Sequence, residues 1–75
     1  MTPAEIRHAR ATLAQMWGEA RPISCARLGK ACRLGGKDPG ESIRDYEAGR
    51  TKIGGPVSGL IVLMLRGALP PDGIP

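Results

Sequence analysis

The chain has no phenylalanine, one tryptophan and one tyrosine, so aromatic residues make up only 3% of it. Aliphatic side chains must therefore build its core. The stacking platforms that hold single-stranded RNA are missing as well, which leaves RNA recognition with little support. There is one histidine, His8, and there are two cysteines. A metal site would need further ligands, so no metal and no cofactor is expected. Cys25 and Cys32 stand seven positions apart. On one helix they would share a face yet lie roughly 10 Å apart along its axis, too far for a disulfide, so free thiols in a reducing compartment are expected. The longest apolar run, LIVLML at residues 60–65, falls far short of the ~20 residues that span a bilayer. Met1 leads straight into a capped helix without a basic or apolar leader, and the expected location is the cytoplasm. No carboxylate pair stands in a pocket-forming context. The GGKDPG segment lacks the preceding strand and the Gly-Lys-Ser/Thr order of a phosphate-binding loop. An enzyme is not expected.

What is present is a 75-residue chain with 41% hydrophobic residues, enough for one folded domain near the lower size limit of a self-sufficient core. The expected division is a domain over residues 1–69 and a loose tail over residues 70–75. The net charge of +4 is unevenly placed: residues 21–52 carry eight basic and four acidic residues, and the rest of the chain three of each. A local basic excess suits a polyanion, nucleic acid first and an anionic membrane surface second, and a solvated charged face is the plainer alternative.

Four helices can be read from their ends and their periodicity. Thr2, Pro3 and Glu5 form a Thr-x-x-Glu capping box, after which Ile6, Ala9, Leu13 and Met16 or Trp17 recur at helical spacing until Gly18. Ser24 is a good N-cap for a second helix ending near Leu34, with Ile23 placed as a hydrophobic staple and Ala26, Leu28, Ala31 and Cys32 apolar. Gly29 inside that helix costs roughly 0.5–1 kcal/mol relative to Ala, which another helix crossing too closely for a β-carbon would explain. Asp38, Pro39 and Glu41 predict a second capping box at the head of a short helix over residues 39–48, closed by Gly49. Ile43, Tyr46 and Glu47 share its inward stripe, and Gly40, Glu41, Arg44 and Asp45 its outer face. A fourth helix opens at Pro56, is apolar nearly all round, and stops at Gly67.

At the residue level, ISCARLGKACRL and ESIRDYEAGRTK resemble the two motif helices of the Xre/Cro/cI-like helix-turn-helix regulators of phages and bacteria. Ile23, Ser24, Ala26 and Leu28 fit the first helix of that family, while Cys25 stands in place of its usual Gln and Gly29 in place of its usual Ala. Ile43, Tyr46, Glu47, Gly49 and Arg50 fit the second helix and its exit. The turn RLGGKDPG is about four residues longer than the usual one. The resemblance covers about residues 3–66 and implies an all-α, lambda-repressor-like bundle of four to five helices containing a helix-turn-helix.

The same resemblance implies a sequence-specific regulator of double-stranded DNA, a repressor of the kind that controls a phage or mobile-element operon. Gly40, Glu41, Ser42, Arg44 and Asp45 are then the base-reading candidates, and Ser24, Lys37, Arg50, Thr51 and Lys52 the phosphate-holding ones. A single short recognition helix reads too few base pairs to pick one site. A homodimer on a palindromic operator is therefore expected, with Leu60, Val62, Leu63 and Met64 of the apolar fourth helix as interface candidates. The alternative from another class is a small helical protein-binding module, such as an antitoxin or a phage inhibitor.

Overall fold

The elements along the chain are α1 (Pro3–Met16), α2 (Cys25–Ala31), α3 (Glu41–Glu47) and α4 (Gly55–Leu65), with no strand. The computed structural model describes all 75 residues, packed to a radius of gyration of 11.0 Å. The fold is all-α. Helix α1 is the central element: α3 and α4 both pack on it, and α2 packs on α3. No helix is long and apolar enough to cross a membrane.

Each helix is defined by its ends. At α1 the capping box forms as the spacing predicts: Glu5 N–H donates to Thr2 Oγ1 at 3.1 Å and Thr2 N–H to Glu5 Oε1 at 2.8 Å. Ile6, Ala9, Leu13 and Ala14 are its buried residues, and Trp17 packs against the core in place of Met16, which is exposed. All four helices close with the paired hydrogen bonds of a Schellman motif. In α3, for example, Arg50 N–H reaches Asp45 O at 3.0 Å and Gly49 N–H reaches Tyr46 O at 3.2 Å, with Gly49 at φ 74°. The end of α2 is the exception in residue type. Helix α2 stops at Ala31, and the left-handed position falls on Arg33 at φ 58° rather than on Gly35 or Gly36. A side chain there costs about 1–2 kcal/mol relative to glycine.

The head of α3 departs from the expected capping box. The helix begins at Glu41, its N-cap position is Gly40, and no side chain caps it. Asp38 instead builds a turn: its Oδ1 accepts from Gly40 N–H at 3.0 Å and its carbonyl oxygen accepts from Glu41 N–H at 3.1 Å. That turn lays the Pro39–Gly40 backbone flat against α2. A β-carbon on Gly29 would sit 1.9 Å from Pro39 O, and one on Gly40 would sit 2.6 Å from Ala26 N. The close approach expected at Gly29 is therefore present, made with the turn leading into α3 rather than with the helix barrel, and it is reciprocal. Gly40 is buried in it, which removes it from the outer face.

The core is one cluster in which Ile6, Leu13, Ile23, Leu28, Ile43, Ile61 and Met64 are fully buried. Each such side chain contributes about 1.5–3 kcal/mol relative to leaving it exposed. Met64 thus belongs to the core and not to an outer face of α4. Leu63 points outward at 53% exposure, while Leu60 and Val62 are half-buried. Residues 70–75, expected to hang loose, fold back instead. Pro70 is buried, Asp72 takes two hydrogen bonds from Arg33 at 2.9 and 3.0 Å, and the Pro75 carbonyl oxygen accepts from Arg27. Two guanidinium groups on the α2 side provide the donors that a sequence-local reading of this tail does not include.

Candidate nucleic-acid interface

The short helix α3 is held by a clamp from α1. Arg10 sits about two turns into α1. Its fork meets both oxygens of Glu47, Nε to Oε2 and Nη2 to Oε1, each at 2.8 Å. Its remaining Nη1 donates to the Ile23 carbonyl oxygen at 3.1 Å, and Arg7 donates to the Glu47 carbonyl oxygen at 3.1 Å. One arginine therefore ties the end of α3 and the loop before α2 to the same point of α1. The pair is well shielded, with side-chain exposures of 21% and 10%, and the Glu47 carboxylate raises the Arg10 pKa further. Glu47 stays with the fold, as the inward stripe predicts. Arg10, one turn beyond Ile6 and one turn before Leu13 on α1, is the residue that sequence reasoning misses.

On the other side of α3, Arg44 and Asp45 each pair with an opposite charge, and Glu41 does not. Arg44 is half-exposed and donates through Nη2 to Oδ2 of Asp38, the residue that builds the turn before the helix. This partner holds the Asp38 carboxyl below its ordinary range, with the Gly40 N–H adding to the effect. Asp45 accepts from Arg50 at 3.3 Å. Glu41 is exposed and Ser42 half-buried. Of the five base-reading candidates, then, Glu41 and Arg44 are on the surface, Ser42 and Asp45 are partly covered, and Gly40 is in the α2 contact.

The phosphate-holding candidates are all exposed: Ser24, Lys37, Arg50, Thr51 and Lys52. Ser24 caps α2, its oxygen accepting from Arg27 N–H at 3.1 Å, which leaves the hydroxyl hydrogen free to donate outward. The start of α2 lies beside α3: Cys25 Sγ is 3.6 Å from Glu47 Oε2, and the charge of Arg44 is felt at the Cys25 thiol. Lys37 leads into the Asp38 turn, and Thr51 and Lys52 line a shallow cavity of about 400 Å³ with Tyr46 and Ile6. Arg50 is weakly committed, at 74% side-chain exposure.

Neither thiol is activated. Burial raises the Cys25 pKa and pushes Cys32 up to about 11. Both cysteines are free, and no three His, Cys, Asp or Glu side chains converge where they could hold a metal ion. Among the interface candidates of α4, Leu63 is the exposed one, and Met16, Leu69 and Ile74 are further large apolar side chains at the surface. Comparison with protein-family models, with curated proteins and with solved structures finds no match to this chain.

Proposed function

We propose that this chain is a sequence-specific double-stranded DNA-binding regulator of the helix-turn-helix kind, with α2 and α3 as its bihelical unit. The observation that carries the proposal is the reciprocal glycine contact, Gly29 against Pro39 and Gly40 against Ala26. It welds two seven-residue helices into one rigid corner, with α3 anchored from behind by Arg10 and Ile43 and its far side free. A helix supported in this way is the kind of element that a helix-turn-helix domain lays in a major groove about 12 Å wide. Glu41, Ser42, Arg44 and Asp45 then face the base edges, and Ser24, Lys37, Arg50, Thr51 and Lys52 flank them as phosphate contacts.

The reading is of a cytoplasmic repressor that acts by occupying its site, as a homodimer joined through the outer side of α4 around Leu63. Selecting bound sequences from a random duplex pool tests it. The expected result is an enriched inverted repeat whose binding weakens steeply with salt. No enrichment over the input pool would overturn the reading. A protein partner held equally well at high salt would then favour the protein-binding module, for which the exposed Leu63 and Leu69 provide the apolar surface.

A further inference from the structure

We propose that Asp38 is a specificity-determining residue: it locks Arg44 in a reading position and makes that arginine a poor partner for phosphate. The inference rests on the DNA-binding reading above. Its basis is that the two oxygens of one carboxylate do different work. Oδ1 is fixed by Gly40 N–H at 3.0 Å, in the turn whose backbone is pressed against Gly29 of α2. Oδ2 takes the Nη2 donor of Arg44, six residues further on. The carboxylate is thus anchored at the α2–α3 corner, and the half-exposed arginine pairs with it.

A guanidinium has five donor hydrogens, and Asp38 takes one nitrogen of the three. The remaining donors of Arg44 are free to meet the two acceptors on a guanine edge, which are neutral and sit comfortably beside an anion. A phosphate oxygen is different. To reach Arg44 it must approach the Asp38 carboxylate as well, and the charge it would neutralise is already neutralised. Arg44 therefore adds little to the charge-driven binding that every duplex receives, and its hydrogen bonds are kept for bases. Holding the long side chain in place beforehand also removes an ordering cost from the specific complex. This explains why an acidic residue stands at the head of a helix directed at a polyanion.

The Asp38→Asn variant of the full chain separates the two roles, because asparagine keeps an oxygen for Gly40 N–H and loses the charge that holds Arg44. Its affinity is measured beside the unmodified protein, over a range of salt, on the duplex recovered by selection and on a scrambled duplex of equal length. The scrambled duplex should be bound more tightly, with its log–log salt slope steeper by about 0.9 as Arg44 becomes one more phosphate contact. The cognate-to-scrambled ratio should fall by about tenfold, within the discrimination expected of one arginine–guanine pair. In an Arg44→Gln background the same Asp38 change should leave the ratio alone, which a purely structural role of Asp38 would not do. If Asp38→Asn melts well below the unmodified protein, Asp38→Ser, which also retains an acceptor for the turn, takes its place. A ratio within twofold of the unmodified value, while that protein still discriminates, overturns this inference alone. An unmodified protein that binds both duplexes equally overturns the DNA reading and this inference with it.

Discussion

Alanine at Gly29 is the most demanding perturbation of this fold, because two opposed effects of known size meet at one atom. In an unobstructed helix the change stabilises by about 0.5–1 kcal/mol, through propensity and a less flexible unfolded chain. Here the new β-carbon would stand 1.9 Å from Pro39 O and 2.5 Å from Pro39 C, against an ordinary contact distance of at least 3.4 Å. The turn would have to retreat by about 1.5 Å, and the obstacle is main chain rather than a side chain that could swing aside. Overpacking of this kind costs about 1–3 kcal/mol, and a backbone obstacle places it at the upper end. The net expectation is a loss of about 2 kcal/mol, or a melting temperature lower by roughly 8–16 °C for a domain of this size.

Gly59 provides the control. It lies inside α4, is exposed in the single chain, and a β-carbon there meets nothing within 4 Å, so in the Leu63→Glu monomer Gly59→Ala should gain about 0.5–1 kcal/mol. Opposite signs at two helical glycines of one protein test the close approach directly. Gly40→Ala opens the same seam from the other side, where its β-carbon would be 2.6 Å from Ala26 N. The double variant should therefore cost less than the sum of the single ones. A Gly29→Ala protein that melts at or above the unmodified one would show that α2 and the Pro39 turn are not in so close a contact.

Replacing Arg50 and Lys52 with alanine should weaken binding to all duplexes alike and flatten the log–log salt slope by about 0.9 for Lys52 and by less for Arg50, which Asp45 already partly neutralises; an unchanged slope removes both from the phosphate set. Leu63→Glu should leave a folded monomer that binds a palindromic site far more weakly, since Leu63 is the outward member of the apolar α4. Sedimentation of the unmodified protein as a monomer at tens of micromolar, binding DNA one to one, would sink the dimer. In acid, Arg27 beside Glu19 and Arg33 beside Asp72 hold these two carboxyls below their ordinary values of 4.5 and 3.8. A carboxyl depressed in the folded state contributes stability above its unfolded value and loses it as pH falls through the folded one. The melting temperature should therefore decline as pH drops below about 4.5, and less so in high salt; a flat profile down to about pH 2 would show these pairs to be inert.

Helix order, the capping box at Thr2, the Ser24 cap and the glycine stops at residues 18, 49 and 67 are legible because each is written within four or five residues. The inward stripe of Ile43, Tyr46 and Glu47 is legible for the same reason, being one turn of one helix. What escapes is nonlocal. Arg10 and Glu47 are 37 positions apart, and Arg33 and Asp72 are 39 apart, so no rule about helical neighbours brings them together. The head of α3 misleads for a subtler reason. Asp-Pro-Gly-Glu satisfies the pattern of a capping box, but packing against Gly29 demands a turn there, and tertiary contact outweighs the local preference. In the same way, Met64 cannot be told from Leu63 in a run of six apolar residues, because only the angle at which α4 meets α1 decides which of them is covered.

The ion pairs change what the basic excess means. Arg10, Arg27, Arg33, Arg44 and Arg50 each have a carboxylate partner. Within residues 21–52 the cations left without one are Arg21, Lys30, Lys37 and Lys52, and the one carboxylate left without a cation is Glu41. None of these four cations lies on α3. The uncompensated positive charge sits in the segments that flank α2 and α3 and at the end of α2, while the outer face of α3 keeps one uncompensated carboxylate, Glu41. Long-range attraction to a polyanion depends on net charge and is screened by salt, whereas discrimination between bases depends on hydrogen bonds formed at contact. In the proposed complex the two tasks fall to different residues. Changes at Lys37 or Lys52 should then move association rates and salt dependence, and changes on α3 should move the preferred sequence.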